Sequence, residues 1–161
     1  MRNWSNRTRE IAYLLNPAFC SRLLYATIKE YEKKTTHSFP FPLVYLILPL
    51  VLHKETREAI NSRTQLPQWV QLNQRLMIGL GRRTKDLVPI TNEALEFLLQ
   101  SKMVHLSDDG TLTAPSKRGL SKTRFVNSEI TECIIKCEHV ARWFANTGKI
   151  ETIYICLGVR P

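Results

Sequence analysis

Residues Phe39–Leu52, FPFPLVYLILPLVL, contain no charged side chain, and only Tyr45 among them carries a polar side-chain atom. A segment that is apolar all round has no wet face, so other elements must enclose it. It is also shorter than the about 20 residues that a helix needs to cross a bilayer. Three prolines shape it. Pro40 and Pro42 suit an entry turn and a first helical turn, where a missing N–H costs nothing. Pro49 opposes the carbonyl four residues back and predicts a break near Leu48-Pro49. The expectation is a short buried helix, that break, and a second helix reaching water at His53-Lys54-Glu55.

The remaining segments read as elements that cover this run. Arg2, Arg7 and Arg9 make residues 1–10 a basic, flexible arm. A helical pattern opens at Ile11 and restarts at Asn16-Pro17, a cap followed by a good first helical residue. Phe19, Leu23, Leu24, Ile28 and Tyr31 then form an amphipathic stripe. Glu32–Ser38 reads as a polar loop. Beyond the buried run, Lys54–Asn61 reads as an exposed helical piece. Leu66-Pro67-Gln68-Trp69 starts another helix, and Asn73 caps a further one over Gln74–Asp86. Gly79 and Gly81 each weaken that helix by about 1 kcal/mol relative to alanine. Either their bare backbone is packed tightly or the helix is irregular there.

Val88 precedes a proline, so Leu87–Ile90 is expected to be extended. Thr91 is then expected to cap a helix ending at Lys102, with Glu93 in its first turn. Asp109-Gly110 between Met103–Leu106 and Thr111–Ala114 is a hairpin signal. A helix followed directly by a hairpin is how a winged helix ends. Pro115–Arg124 is a basic loop. A last long helix is expected over Ser128–Asn146, striped by Ile130, Ile134, Cys137, Ala141 and Phe144 and stopped by Gly148. Glu151–Val159 reads as a closing strand. The predicted fold is α+β and mostly α-helical. It has a winged-helix-like core, a β-hairpin wing, a long C-terminal helix and a closing C-terminal strand, as one compact domain over residues 11–161.

No catalytic constellation emerges from the residue pattern. Cys133, Cys137 and His139 lie close together, but only the two cysteines share a helix face and no second cluster completes a zinc site. Cys133 and Cys137 read as small apolar residues on a buried stripe. His53–Arg57 reads as a polar patch capping a helix exit. Gly79-Leu80-Gly81 lacks a third glycine and is placed mid-helix, so it is no phosphate loop. The four cysteines include no Cys-x-x-Cys pair and fit reduced thiols. With no secretory apolar region after the basic start, the expected location is the cytoplasm. The expectation is a protein without enzymatic activity, metal or cofactor.

Charge is the one unusual bulk property: 23 Lys and Arg against 14 Asp and Glu give a net charge of +9. Such a balance admits nucleic acid or an acidic protein as partner. The predicted recognition helix, TNEALEFLLQSK, carries Glu93 and Glu96 and one base, Lys102, which suits packing or protein contact better than base readout. The cations cluster elsewhere, at Arg82, Arg83 and Lys85 and at Lys117, Arg118, Lys122 and Arg124. These seven are candidates for phosphate contact without sequence preference. An ordinary solvated charge run is the other open reading.

Several motifs resemble the middle component of bacterial three-component ABC systems. They are Asn16-Pro17-Ala18-Phe19, Phe41-Pro42-Leu43, Leu48-Pro49-Leu50-Val51-Leu52-His53-Lys54 and Thr56-Arg57. Leu87-Val88-Pro89, Thr91, Glu93-Ala94-Leu95, Ala141-Arg142-Trp143-Phe144-Ala145 and Gly158-Val159-Arg160-Pro161 complete the set. The likeness runs from about Ile11 to Pro161. It implies a non-catalytic subunit that links an SMC-like ABC ATPase to an effector, often a nuclease, as in Lamassu-type anti-phage defence. It brings no catalytic residues to carry over, and no membrane partner is expected. DNA is implied as a partner only through the complex. The alternative is a stand-alone winged-helix DNA-binding transcriptional regulator.

Overall fold

The computed structural model describes residues 15–115 and 128–160. Asn16 Oδ1 accepts the Ala18 N–H at 2.9 Å and Pro17 occupies the first turn, so helix α1 covers Pro17–Thr35. Its inward stripe includes Cys20, Leu23, Leu24, Ile28 and Tyr31. The stretch expected as a loop from Glu32 is helical as far as Thr35. Lys33 and Lys34 occupy its last turn, where the helix dipole favours cations. Thr36, at φ +60°, ends the helix and donates its N–H to Glu32 O.

The uncharged run is enclosed as its composition requires. Strand β1 (Phe39–Pro40) leads through a 3₁₀ turn at Phe41–Leu43 into helix α2, Val44–Val51. Leu46, Ile47, Leu48, Leu50 and Val51 have no exposed surface. Against expectation, α2 passes through Pro49 and breaks at Leu52–His53 instead. The interior proline costs about 3 kcal/mol. Burial of a Leu or Ile side chain returns about 1.5–3 kcal/mol, so keeping the whole run helical and enclosed wins. Helix α3 covers Lys54–Ala59. It is less exposed than its sequence suggests, because Thr56 and Arg57 turn inward.

Helices α4 (Leu66–Leu72) and α5 (Gln74–Met77) follow. Asn73 makes no side-chain cap for α5; its Nδ2 donates back to Trp69 O at 2.9 Å. The single helix expected over Gln74–Asp86 is broken at Ile78-Gly79, where Gly79 takes φ +78°. Helix α6 then covers Leu80–Gln100 without interruption. Leu87–Ile90 is therefore helical rather than extended, Pro89 is inside a helix, and Thr91 is a buried interior residue rather than a cap. The expected helix ending at Lys102 is the second half of α6. Leu80, Thr84, Thr91, Ala94, Leu95 and Leu98 form one buried stripe across Pro89, and the proline itself faces water.

Strands β2 (His105–Leu106) and β3 (Thr111–Thr113) form the expected hairpin, with Gly110 at φ +77° in its turn. Strand β1 adds to β3, a pairing absent from the sequence reading. The sheet is antiparallel in the order β1-β3-β2, with Phe39 opposite Leu112 and Leu106 opposite Leu112 on the far side. Helix α7, Ser128–Thr147, packs along α1 through Cys133, Cys137, Ala141 and Phe144 and stops at Gly148, φ +82°. The closing strand is absent, since residues 150–157 form helix α8 (Ile150–Leu157). Its β-branched residues suggest a strand, but Ile150, Ile153, Tyr154 and Leu157 recur at helical spacing and share the inward face. The protein is mostly α-helical α+β, with one small antiparallel sheet.

Candidate interaction groove

Phe41 and Tyr45 lie one turn apart where the 3₁₀ turn enters α2, so their rings meet edge to face at 5.8 Å. Tyr45 Oη donates to Asn92 Oδ1 of α6 at 2.9 Å, which fixes the ring against that helix. Tyr154 of α8 donates its hydroxyl to Pro42 O at 2.6 Å. Burial pushes the Tyr154 phenol above its ordinary range, with Tyr45 adding to the effect. These two hydrogen bonds join three segments around an open groove of about 700 Å³. Its walls are Phe41, Pro42, Tyr45, Val88, Tyr154 and Val159, and its charged members are Lys85 and Arg160. Thr84 also lines it, but the Thr84 hydroxyl donates to Leu80 O at 2.9 Å.

The phosphate candidates at the start of α6 are split between different tasks. Arg82 lies on the exposed face, 4.0 Å from Asp86. Arg83 folds back, and its guanidinium donates to Leu76 O and Ile78 O at 3.3 and 3.4 Å, closing the end of α5. Burial lowers the Arg83 pKa, with Glu55 acting in the other direction. Lys85 stands at the groove with no ion pair among the described residues. Lys117, Arg118, Lys122 and Arg124 lie outside the described residues. Gly79-Leu80-Gly81 opens α6 rather than sitting mid-helix.

The patch His53–Arg57 is structural. His53 Nδ1 accepts the Thr56 N–H at 3.4 Å and so caps α3. Burial lowers the His53 pKa, helped by Arg83. The Arg57 guanidinium donates to Val51 O at 3.0 Å, to Glu129 at 2.8 Å and to Glu132 at 3.3 Å, fastening the end of α2 to α7. Cys20, Cys133 and Cys137 meet between α1 and α7. Burial pushes the Cys20 thiol up to about 12 and Cys133 up to about 11, and Cys137 moves in the same direction. A thiol held protonated is a poor nucleophile at neutral pH. Among the described residues no group of three or more His, Cys, Asp and Glu side chains could hold a metal ion.

The groove draws on Phe41, Lys85, Tyr154 and Arg160, which are far apart in sequence. The sequence singled out Lys85 as a phosphate candidate, but nothing local in it joined these residues in one groove. Apolar walls with cations at the edge offer a ligand area and charge. The chain belongs to the ABC-three component (ABC-3C) system Middle Component 3 family, whose model matches residues 4–161. Comparisons with curated proteins and with solved structures returned no match. Family membership makes the chain the middle component of a three-component ABC system, an accessory subunit that partners the other components. No described helix is long and apolar enough to cross a membrane.

Proposed function

We propose that this protein is the non-catalytic bridging subunit of a cytoplasmic anti-phage complex, joining an SMC-like ABC ATPase to an effector subunit, often a nuclease. The observation that carries the reading is the family match over residues 4–161. Two features support it. The core thiols are buried, which raises their pKa values, and the surface carries an open apolar groove with basic edges. In this reading DNA contact is secondary and reaches the backbone only. Arg82 and Lys85, together with Lys117, Arg118, Lys122 and Arg124, are its candidates; Arg83 is already engaged by backbone carbonyls.

The test is co-purification with the ATPase before and after nuclease treatment, where retention in both is expected. Any DNA binding should be steeply salt-sensitive, each neutralised phosphate adding about −0.9 to the log–log slope. Changing Lys117, Arg118, Lys122 and Arg124 together to Ser should flatten that slope and leave the ATPase bound. Loss of the ATPase on nuclease treatment would contradict the bridging role.

A second reading has one observation in its favour. Helix, strand, several helices and a hairpin, with strand order β1-β3-β2, are compatible with a winged-helix arrangement. A transcriptional regulator built this way would prefer one DNA site by roughly 10³ or more over random sequence. The second half of α6 speaks against it. Its exposed residues include Glu96 and Phe97, and Gln100 donates to Glu96 at 3.0 Å instead of standing free for a base edge. A sharp consensus from DNA selection, lost on changing Gln100 or Lys102, would favour the regulator.

A further inference from the structure

We infer that the groove between Phe41, Lys85, Tyr154 and Arg160 is the docking site for an acidic linear segment with an aromatic or aliphatic anchor, supplied by a partner component of the system. The inference rests on the bridging role and names the chemistry of one of its contacts. At about 700 Å³ the groove is the size of sites that enclose compact ligands. The protons of its three hydroxyls are nevertheless used internally. Tyr45 Oη donates to Asn92, Tyr154 Oη to Pro42 O, and Thr84 Oγ1 to Leu80 O. With those protons committed, the free side-chain donors are the Lys85 and Arg160 cations at the edge, while an apolar side chain would find four rings or aliphatic surfaces in Phe41, Tyr45, Val88 and Val159.

The charge at the edge selects the occupant. Lys85 and Arg160 are exposed, and among the described residues neither has an ion pair and no carboxylate lines the groove. The first turns of α6 border it through Gly81 and Thr84, so the positive end of a 21-residue helix adds the same sign. The chain's own segments outside the described residues do not match. Residues 1–14 carry Arg2, Arg7 and Arg9 against Glu10, and residues 116–127 carry four cations and no acid. A second copy, at +9, is repelled as well. An acidic partner segment is the complementary choice.

The experiment uses the full chain purified with the other components of its three-component system. A benzophenone-bearing phenylalanine replaces Val88, the complex is photolysed, and the cross-linked partner peptide is sequenced. The expected product is a segment rich in Asp and Glu that contains an aromatic or aliphatic residue. The double variant Lys85→Glu/Arg160→Glu, with an unchanged melting temperature, should weaken partner association by about tenfold or more, and reversing the partner's acids to Lys should restore it. Cross-links confined to DNA, or to a basic or neutral segment, would overturn the inference while leaving the bridging role intact. So would full association of the double variant. If no partner component associates with the unmodified chain, the bridging role itself fails and the inference falls with it.

Discussion

The Arg57 side chain is 2% exposed, while the two carboxylates holding it, Glu129 and Glu132, are 47% and 36% exposed. The two sides of this contact are therefore unequal. Removing both carboxylates strands a buried cation, whereas removing the cation leaves two glutamates that water can reach. Glu129→Gln with Glu132→Gln should cost about 2–3 kcal/mol, below the 3–5 of a fully enclosed pair because the partners are partly wet. Arg57→Met should cost about 1–2 kcal/mol, chiefly through the lost donor to Val51 O. Urea unfolding at constant m-value measures both. A larger loss for Arg57→Met would show that the guanidinium matters through packing rather than charge. In the sequence this arginine read as one member of a polar capping patch. The capping was legible because His53 stands at a helix start. The burial was not, because Glu129 and Glu132 are more than 70 residues away.

At the scale of elements, two glycines two residues apart should respond with opposite signs. Gly79 holds φ +78°, so Gly79→Ala should destabilise by about 1–2 kcal/mol. A Cβ at Gly81 meets nothing within 4 Å, and Gly81→Ala should stabilise by up to about 1 kcal/mol. Thermal melts of the two variants decide this, and equal shifts would mean that the helix break at Ile78-Gly79 is not set by the backbone. The sequence showed that these glycines were anomalous but not which of the two carried the turn. Prolines misled in a consistent way. Pro49 and Pro89 each predicted an interruption, and each lies within a continuous helix whose apolar face is buried on both sides of it. Helix α8 failed for a related reason, since local β-propensity is outweighed when the buried positions fall at helical spacing. Caps and stops gave a mixed result: the caps expected at Asn73 and Thr91 did not form, and those set by neighbours in sequence did. Asn16, Gly110 and Gly148 were read correctly on that ground.

For the whole molecule, α2 is the member against which α1, α6 and α7 all pack. Leu46, with no exposed surface, should not tolerate a carboxylate. An unpaired buried charge costs several kcal/mol against a total stability of about 5–15 kcal/mol. Leu46→Asp should therefore fail to give soluble, cooperatively melting protein, and a cooperative melt would show that α2 can be opened to water. The groove could not be foreseen at this scale, because its residues meet only after α2, α6 and α8 have assembled. Helix α6 gives the molecule a fixed dimension. Its 21 residues begin beside the groove and end at the hairpin, and at 1.5 Å per residue they span about 30 Å. A partner seated at one end and a second body at the other would be held apart by one continuous helix. The middle component would then work as a spacer, setting the distance between its neighbours as well as joining them.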